Sequence, residues 1–107
     1  EENKNKDSFR YFEKLASFCK KQKIELIVIT TPVPAETLKK YQKEFQEADA
    51  FFRKYLEGLG LEYHNYNRGE RNIPNFDYSL NGFSDYEGHM DFQQAETFSA
   101  QLAEDLW

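Results

Sequence analysis

Asp85-Tyr86-Glu87-Gly88-His89-Met90-Asp91 is the stretch of this chain where the residue types for acid–base chemistry fall together. An imidazole titrates near neutral pH, and a carboxylate beside it fixes its tautomer and stabilises its charged form. Asp85 stands four residues before His89 and Glu87 two before, and Gly88 places the histidine at a turn. Either acid can reach Nδ1 within a tight loop, and the spacing does not choose between them. A helix is expected to start directly afterwards. Asp91 is its N-cap, and Gln94, three residues on, completes a capping-box pattern. His89 then lies just outside a helix N-terminus, where the dipole disfavours an imidazolium. A neutral ring is what a general base needs. The bland alternative is a surface loop that happens to be acidic.

A base needs a nucleophile or a metal to serve. The serines are Ser8, Ser17, Ser79, Ser84 and Ser99, and none stands in a glycine-flanked strand–turn–helix elbow. Ser79 and Ser84 are the two nearest His89 in sequence. The second histidine, His64, sits in a run that alternates like a strand. There is no HxH, no HExxH and no cysteine pair, so no metal centre is expected; no Gly-rich phosphate cradle is present, and no cofactor is expected either.

The elements that must position His89 are those of one small domain spanning residues 1–107. The formal net charge of −5 gives nucleic-acid binding no electrostatic support. The longest apolar run, Leu26 to Ile29, is strand-sized and far short of a membrane span. The chain opens Glu1-Glu2-Asn3-Lys4, charged and without a methionine, so a processed chain or a piece of a longer one is expected.

Residues 7–22 predict a helix, capped by Asp7, with Phe12, Leu15, Ala16 and Cys19 as its apolar stripe. Cys19 is therefore expected in the core, not as a reactive thiol. Residues 24–30 predict a β-branched strand covered on both faces. Pro34 suits the first turn of the helix that follows. That helix is predicted over 35–57, with Leu38, Tyr41, Phe45, Ala48, Phe52, Tyr55 and Leu59 as a heptad-like seam and Gly58 and Gly60 as C-cap candidates. A helix lying across a sheet explains this seam better than a coiled coil. Residues 61–66 predict a second strand, parallel to the first in a βαβ unit. Residues 67–90 show no periodicity but carry Phe76, Tyr78, Phe83 and Tyr86, which suggests a loop that packs down. A last helix over 92–106 buries Ala95, Phe98, Leu102 and Leu106. The class is α/β: a βαβ-containing parallel sheet with flanking helices.

The order of these pieces resembles the C-terminal half of SGNH/GDSL-type hydrolases, most of all their bacterial cell-envelope branch. The resemblance is carried by the Ile24–Thr30 strand, Thr31-Pro32-Val33-Pro34, the long helix, Tyr63-His64-Asn65-Tyr66-Asn67, Gly88-His89-Met90-Asp91, and Ala95 with Phe98-Ser99. It covers roughly residues 8–106. The family implies a flavodoxin-like α/β sandwich, a Ser–His–Asp triad, and acyl esters, often on carbohydrate or cell-wall polymers, as substrates. By position His89 matches the family's base, and Asp85 is the nearest match to its aspartate, four residues before the histidine instead of three. Tyr86 occupies the usual acid position and Glu87 follows it. Asp91 stands where Asn is common, and Gln94-Ala95 replaces Gly-Ala. The family's nucleophile block and oxyanion-hole Gly and Asn have no counterpart in these residues.

The expectation is thus a C-terminal portion of an SGNH-like esterase or acyltransferase, inactive by itself. Its partner would be an N-terminal half of a longer protein, or a second copy completing a sheet whose two strands leave open edges. The resemblance leans towards an extracytoplasmic, membrane-anchored parent. The rival is a non-catalytic α/β scaffold that self-associates or binds a partner. A small carrier or regulatory domain has no positive feature behind it.

Overall fold

A computed structural model describes residues 2–86 and 88–107, with side chains from Lys6 onward. The elements are α1 (Glu2–Lys21), β1 (Ile27–Thr30), α2 (Ala35–Lys40), α3 (Gln42–Gly58), β2 (Glu62–Asn65) and α4 (Phe92–Leu106), with a short 3-10 turn at Leu80–Gly82 before α4. β1 and β2 pair in parallel, Ile27 opposite Glu62 and Thr30 opposite Asn65. Tyr66 N donates to Thr30 O at 3.0 Å, extending the ladder past β2. The mixed α/β architecture with flanking helices is as expected, and the β1–helix–β2 order is that of a βαβ unit. No helix among the described residues is long and apolar enough to cross a membrane.

α1 begins before Asp7, so Asp7 is not its cap. It lies inside the helix, 3.4 Å from Arg10 one turn on. The inward face is also displaced from the expected stripe. Phe9, Phe12 and Ala16 are half-buried and Cys19 is buried, whereas Leu15 is 49% exposed. Phe9 and Phe12 reach Tyr55 of α3 with ring centroids 5.0 and 6.4 Å apart. The Tyr55 hydroxyl donates to Glu13 at 2.7 Å. α1 stops because Lys23 turns left-handed (φ 58), letting Lys23 N donate to Lys20 O and Ile24 N to Cys19 O. That turn leaves Ile24 outside the strand, so β1 is shorter than the expected 24–30.

The helix expected over 35–57 is two helices. The break falls at Tyr41, whose φ of −114° and ψ of 35° leave the helical range. α2 is anchored to the segment after β2: Ala35 N donates to Tyr78 O at 2.6 Å and Thr37 Oγ1 to Tyr86 O at 2.8 Å. α3 packs along β2 instead, and two anchors on different partners do not share one helix axis. Pro34 is the residue before α2, not within its first turn. The seam is exposed at Tyr41, Ala48, Phe52 and Leu59; the residue that α3 buries is Leu56, with Phe45 and Asp49 half-buried. A two-stranded sheet is too narrow to cover the whole seam. Gly60 ends α3 as expected, at φ +72, with Gly60 N on Glu57 O and Leu61 N on Leu56 O.

The core lies on the other side of the sheet, under the segment that lacked periodicity. Tyr66, Ile73, Phe76, Phe83 and Phe98 form one buried cluster, flanked by Ile29, Tyr78, Met90 and Leu102. Phe76 packs on Tyr78 (4.7 Å between centroids) and Phe83 (5.9 Å), and Phe98 of α4 packs edge-on against Tyr66 (5.3 Å). The segment does pack down, Tyr86 excepted, which is exposed. Asp91 caps α4, its carboxylate accepting from Gln94 N at 2.9 Å. The capping box is not closed, however. The Gln94 side chain turns to Asp77, accepting from its N–H at 3.0 Å and donating to its carbonyl at 2.5 Å.

Candidate functional site

His89 sits near the end of a short antiparallel turn. Phe83 bridges Met90, Ser84 N donates to His89 O at 2.6 Å, and Asp91 N donates to Gly82 O at 3.2 Å. These bonds close the loop at its base, where buried Phe83 anchors it in the core. The loop tip is held from the other side. Thr37 takes the Tyr86 carbonyl, and Gly88 lies against the turn after β1. A Cβ on Gly88 would stand 3.2 Å from both Pro32 O and Val33 Cγ1, and the residue has φ +105. Only glycine combines that φ with that approach at low cost. The loop therefore meets the carboxyl end of β1, the side of a parallel sheet on which α/β proteins hold ligands.

The structure brings Asp85 and His89 together. Asp85 Oδ2 is hydrogen-bonded to His89 Nδ1, and its Oδ1 accepts from Gly88 N at 3.1 Å and His89 N at 3.2 Å. A carboxylate can only accept, so Nδ1 carries the proton and the lone pair of the neutral ring is on Nε2. The His89 side chain is 71% exposed and so within reach of a substrate. Glu87, the other candidate acid, lies outside the described residues. Ser79 is occupied at the 3-10 turn, its hydroxyl oxygen accepting from Asn81 N at 3.3 Å. Ser84 contributes its backbone to the loop closure.

His64 takes no part in this site. Arg71 donates to its Nδ1 at 2.5 Å, which leaves its Nε2 to donate to Glu62 at 2.5 Å. Arg71 also lies 3.5 Å from Asp105, which accepts from the Tyr66 hydroxyl at 2.9 Å and from Gln101 at 2.9 Å. Burial and then the bond to Asp105 push the Tyr66 hydroxyl up to about 12. Burial alone would raise the Asp105 carboxyl, but donation from Tyr66 and Gln101 outweighs it and holds it below the ordinary aspartate value. Among the described residues no three His, Cys, Asp or Glu side chains converge to hold a metal.

A polar lock at the ends of the strands escaped the sequence reading. Asn67 Oδ1 accepts from Val33 N, Asn65 Oδ1 accepts from Asn67 N, and Asn65 Nδ2 donates to Asp49, each at 2.9 Å. Arg53 Nε completes the chain on Asp49 at 2.8 Å. Burial opposes ionisation of Asp49, yet the bonds from Arg53 and Asn65 prevail and hold its carboxyl low. This lock fixes Val33, the residue that backs Gly88. Its signal was the Asn-x-Asn spacing at the end of the second strand, which puts both amides on one face.

No family model, curated protein or solved structure matches this chain.

Proposed function

We propose that Asp85 and His89 are the acid–base pair of an SGNH-like esterase or acyltransferase that acts on acyl esters. The observation that supports this reading most directly is the Asp85 carboxylate on His89 Nδ1, with the same carboxylate holding the loop backbone. In this role Asp85 sets the tautomer, and His89 Nε2 takes the proton from a serine hydroxyl as it attacks the ester carbonyl. It then returns the proton to the departing alkoxide. The serine and the oxyanion donors would come from an N-terminal half of a longer protein. An acylated carbohydrate or cell-wall polymer outside a bacterial cell is the substrate the family resemblance suggests. Hydrolysis of p-nitrophenyl acetate by the full-length protein tests the reading. His89→Ala is expected to lower kcat by about a thousandfold or more; unchanged turnover overturns it. The 107 residues alone should show no turnover that depends on His89.

A second reading, a self-associating scaffold, is favoured by one observation. Tyr11, Leu15 and Phe18 of α1 and Phe51 of α3 are each about half exposed or more, a large apolar complement for the surface of two helices. Sedimentation velocity decides whether this face joins two copies: a strictly monomeric chain at high concentration removes the reading.

A further inference from the structure

A cavity of about 540 Å³ opens between the α2–α3 junction and the carboxyl end of β2, sharing no lining residue with the Asp85–His89 loop. Asn67 forms part of its wall and is only 2% exposed. Its Oδ1 accepts from Val33 N, which fixes the other amide atom as the donor nitrogen. Nδ2 has no hydrogen-bond partner among the described residues. Yet none of their side-chain polar atoms is both sealed from solvent and unpartnered. Nδ2 therefore touches accessible space, and the space that Asn67 lines is this cavity. An amide donor held there without a protein acceptor is available to an oxygen that enters the cavity.

The surrounding charges say which oxygen. Lys39 and Arg68 line the cavity, and neither is in an ion pair among the described residues. Of the lining acids, Asp49 has both oxygens occupied, by Asn65 and by Arg53, and Glu70 lies 3.5 Å from Arg53. Arg53 carries one charge for both of these acids, so with the exposed Glu36 three acids face three cations, Arg53, Lys39 and Arg68, and the neutral sum disfavours a dianion. Leu38 and Phe45 supply an apolar wall. We infer that this cavity binds a small organic carboxylate, one oxygen on Asn67 Nδ2, its carboxylate beside Arg68 and Lys39, which no acid pairs among the described residues, its apolar body against Leu38 and Phe45. The site stands independently of the acyl-transfer reading.

NMR titration of the 15N-labelled chain with 3-phenylpropionate, and with 3-phenylpropionamide as the neutral control, tests it. The acid is expected to shift the Asn67 side-chain amide pair saturably and to bind about tenfold or more tighter than the amide. Asn67→Asp keeps an acceptor for Val33 N but replaces the donor with a negative oxygen, and should abolish binding. Arg68→Gln, at an exposed position, should weaken it about tenfold. Equal binding of acid and amide, no saturable shift at Asn67, or full affinity in Asn67→Asp with a native backbone spectrum overturns the inference. If Asn67→Asp does not fold, undiminished affinity in Arg68→Gln overturns it alone.

Discussion

Asp85 holds His89 from two sides: Oδ2 takes the ring at Nδ1, and Oδ1 takes the backbone N–H of His89 and of Gly88. One carboxylate thus sets both the tautomer of the imidazole and the position of the residue that bears it.

Asp85→Ala separates these effects from the chemistry. Without the acceptor, the His89 ring should lose its Nδ1–H preference, read from its 15N shifts. The Gly88 and His89 amides should exchange faster. The loss of bonds at this partly exposed loop should cost about 1 kcal/mol in urea unfolding. An unchanged Nδ1–H signature would mean that Asp85 does not set the tautomer.

Gln94→Ala should be more costly than its polar identity suggests. Gln94 is buried, and its side chain satisfies both the N–H and the carbonyl of Asp77. Removing it strands those groups and leaves a void beside Gly82, so about 2–3 kcal/mol should be lost. A urea midpoint near that of the unmodified protein would contradict the bridge.

Lys23→Gly should stabilise the fold. Lys23 occupies the left-handed position that ends α1, where a Cβ is strained. Relief of that strain, less the extra chain entropy of glycine, should give about 0.5–1 kcal/mol. Thermal unfolding checks the sign.

Stability should fall at both extremes of pH. The depressed carboxyls of Asp49 and Asp105 stabilise the folded state fully above the ordinary aspartate value of 3.8. That contribution is lost as pH drops below 3.8 and through their lower folded values, because the unfolded chain then binds more protons. Tyr66 acts at the other end. Its folded value of about 12 lies above the ordinary 10.0, so its contribution is complete below pH 10.0 and disappears between there and about 12. Urea midpoints across pH measure both limbs. Tyr66→Phe should remove part of the alkaline limb, since Tyr55, Tyr63 and Tyr78 are raised as well, and Asp105→Asn should soften the acid one.

Comparison of two helix ends shows how far local sequence reaches. α1 and α3 finish with the same pair of hydrogen bonds, but Gly60 announces its end and Lys23 does not. Glycine is legible because it adopts positive φ without cost. Lysine does so only when the packing beyond it requires the turn. Likewise the alternation of Leu38 to Leu59 marks helix, but the break at Tyr41 comes from Thr37 and Ala35 bonding to residues far along the chain. The inward faces of α1 and α3 were displaced for a related reason. Periodicity marks an apolar stripe, while the partner decides how much of it is covered, Tyr55 of α3 for α1 and the narrow sheet for α3.

The sequence by itself determined the element types, the parallel strand pair, the cap at Asp91, and the pairing of an acid with His89 in one loop. All of these rest on interactions between residues a few positions apart, or on periodicities that repeat along one element. Only the tertiary structure decided that Asp85 reaches the imidazole and that Gly88 seats the loop against Val33. It also decided that Gln94 serves Asp77 instead of its own helix, and that Asn67 faces a cavity with an unused donor. Those outcomes depend on which segments are brought close by burial of Tyr66, Ile73, Phe76, Phe83 and Phe98, and local sequence holds no record of such distances.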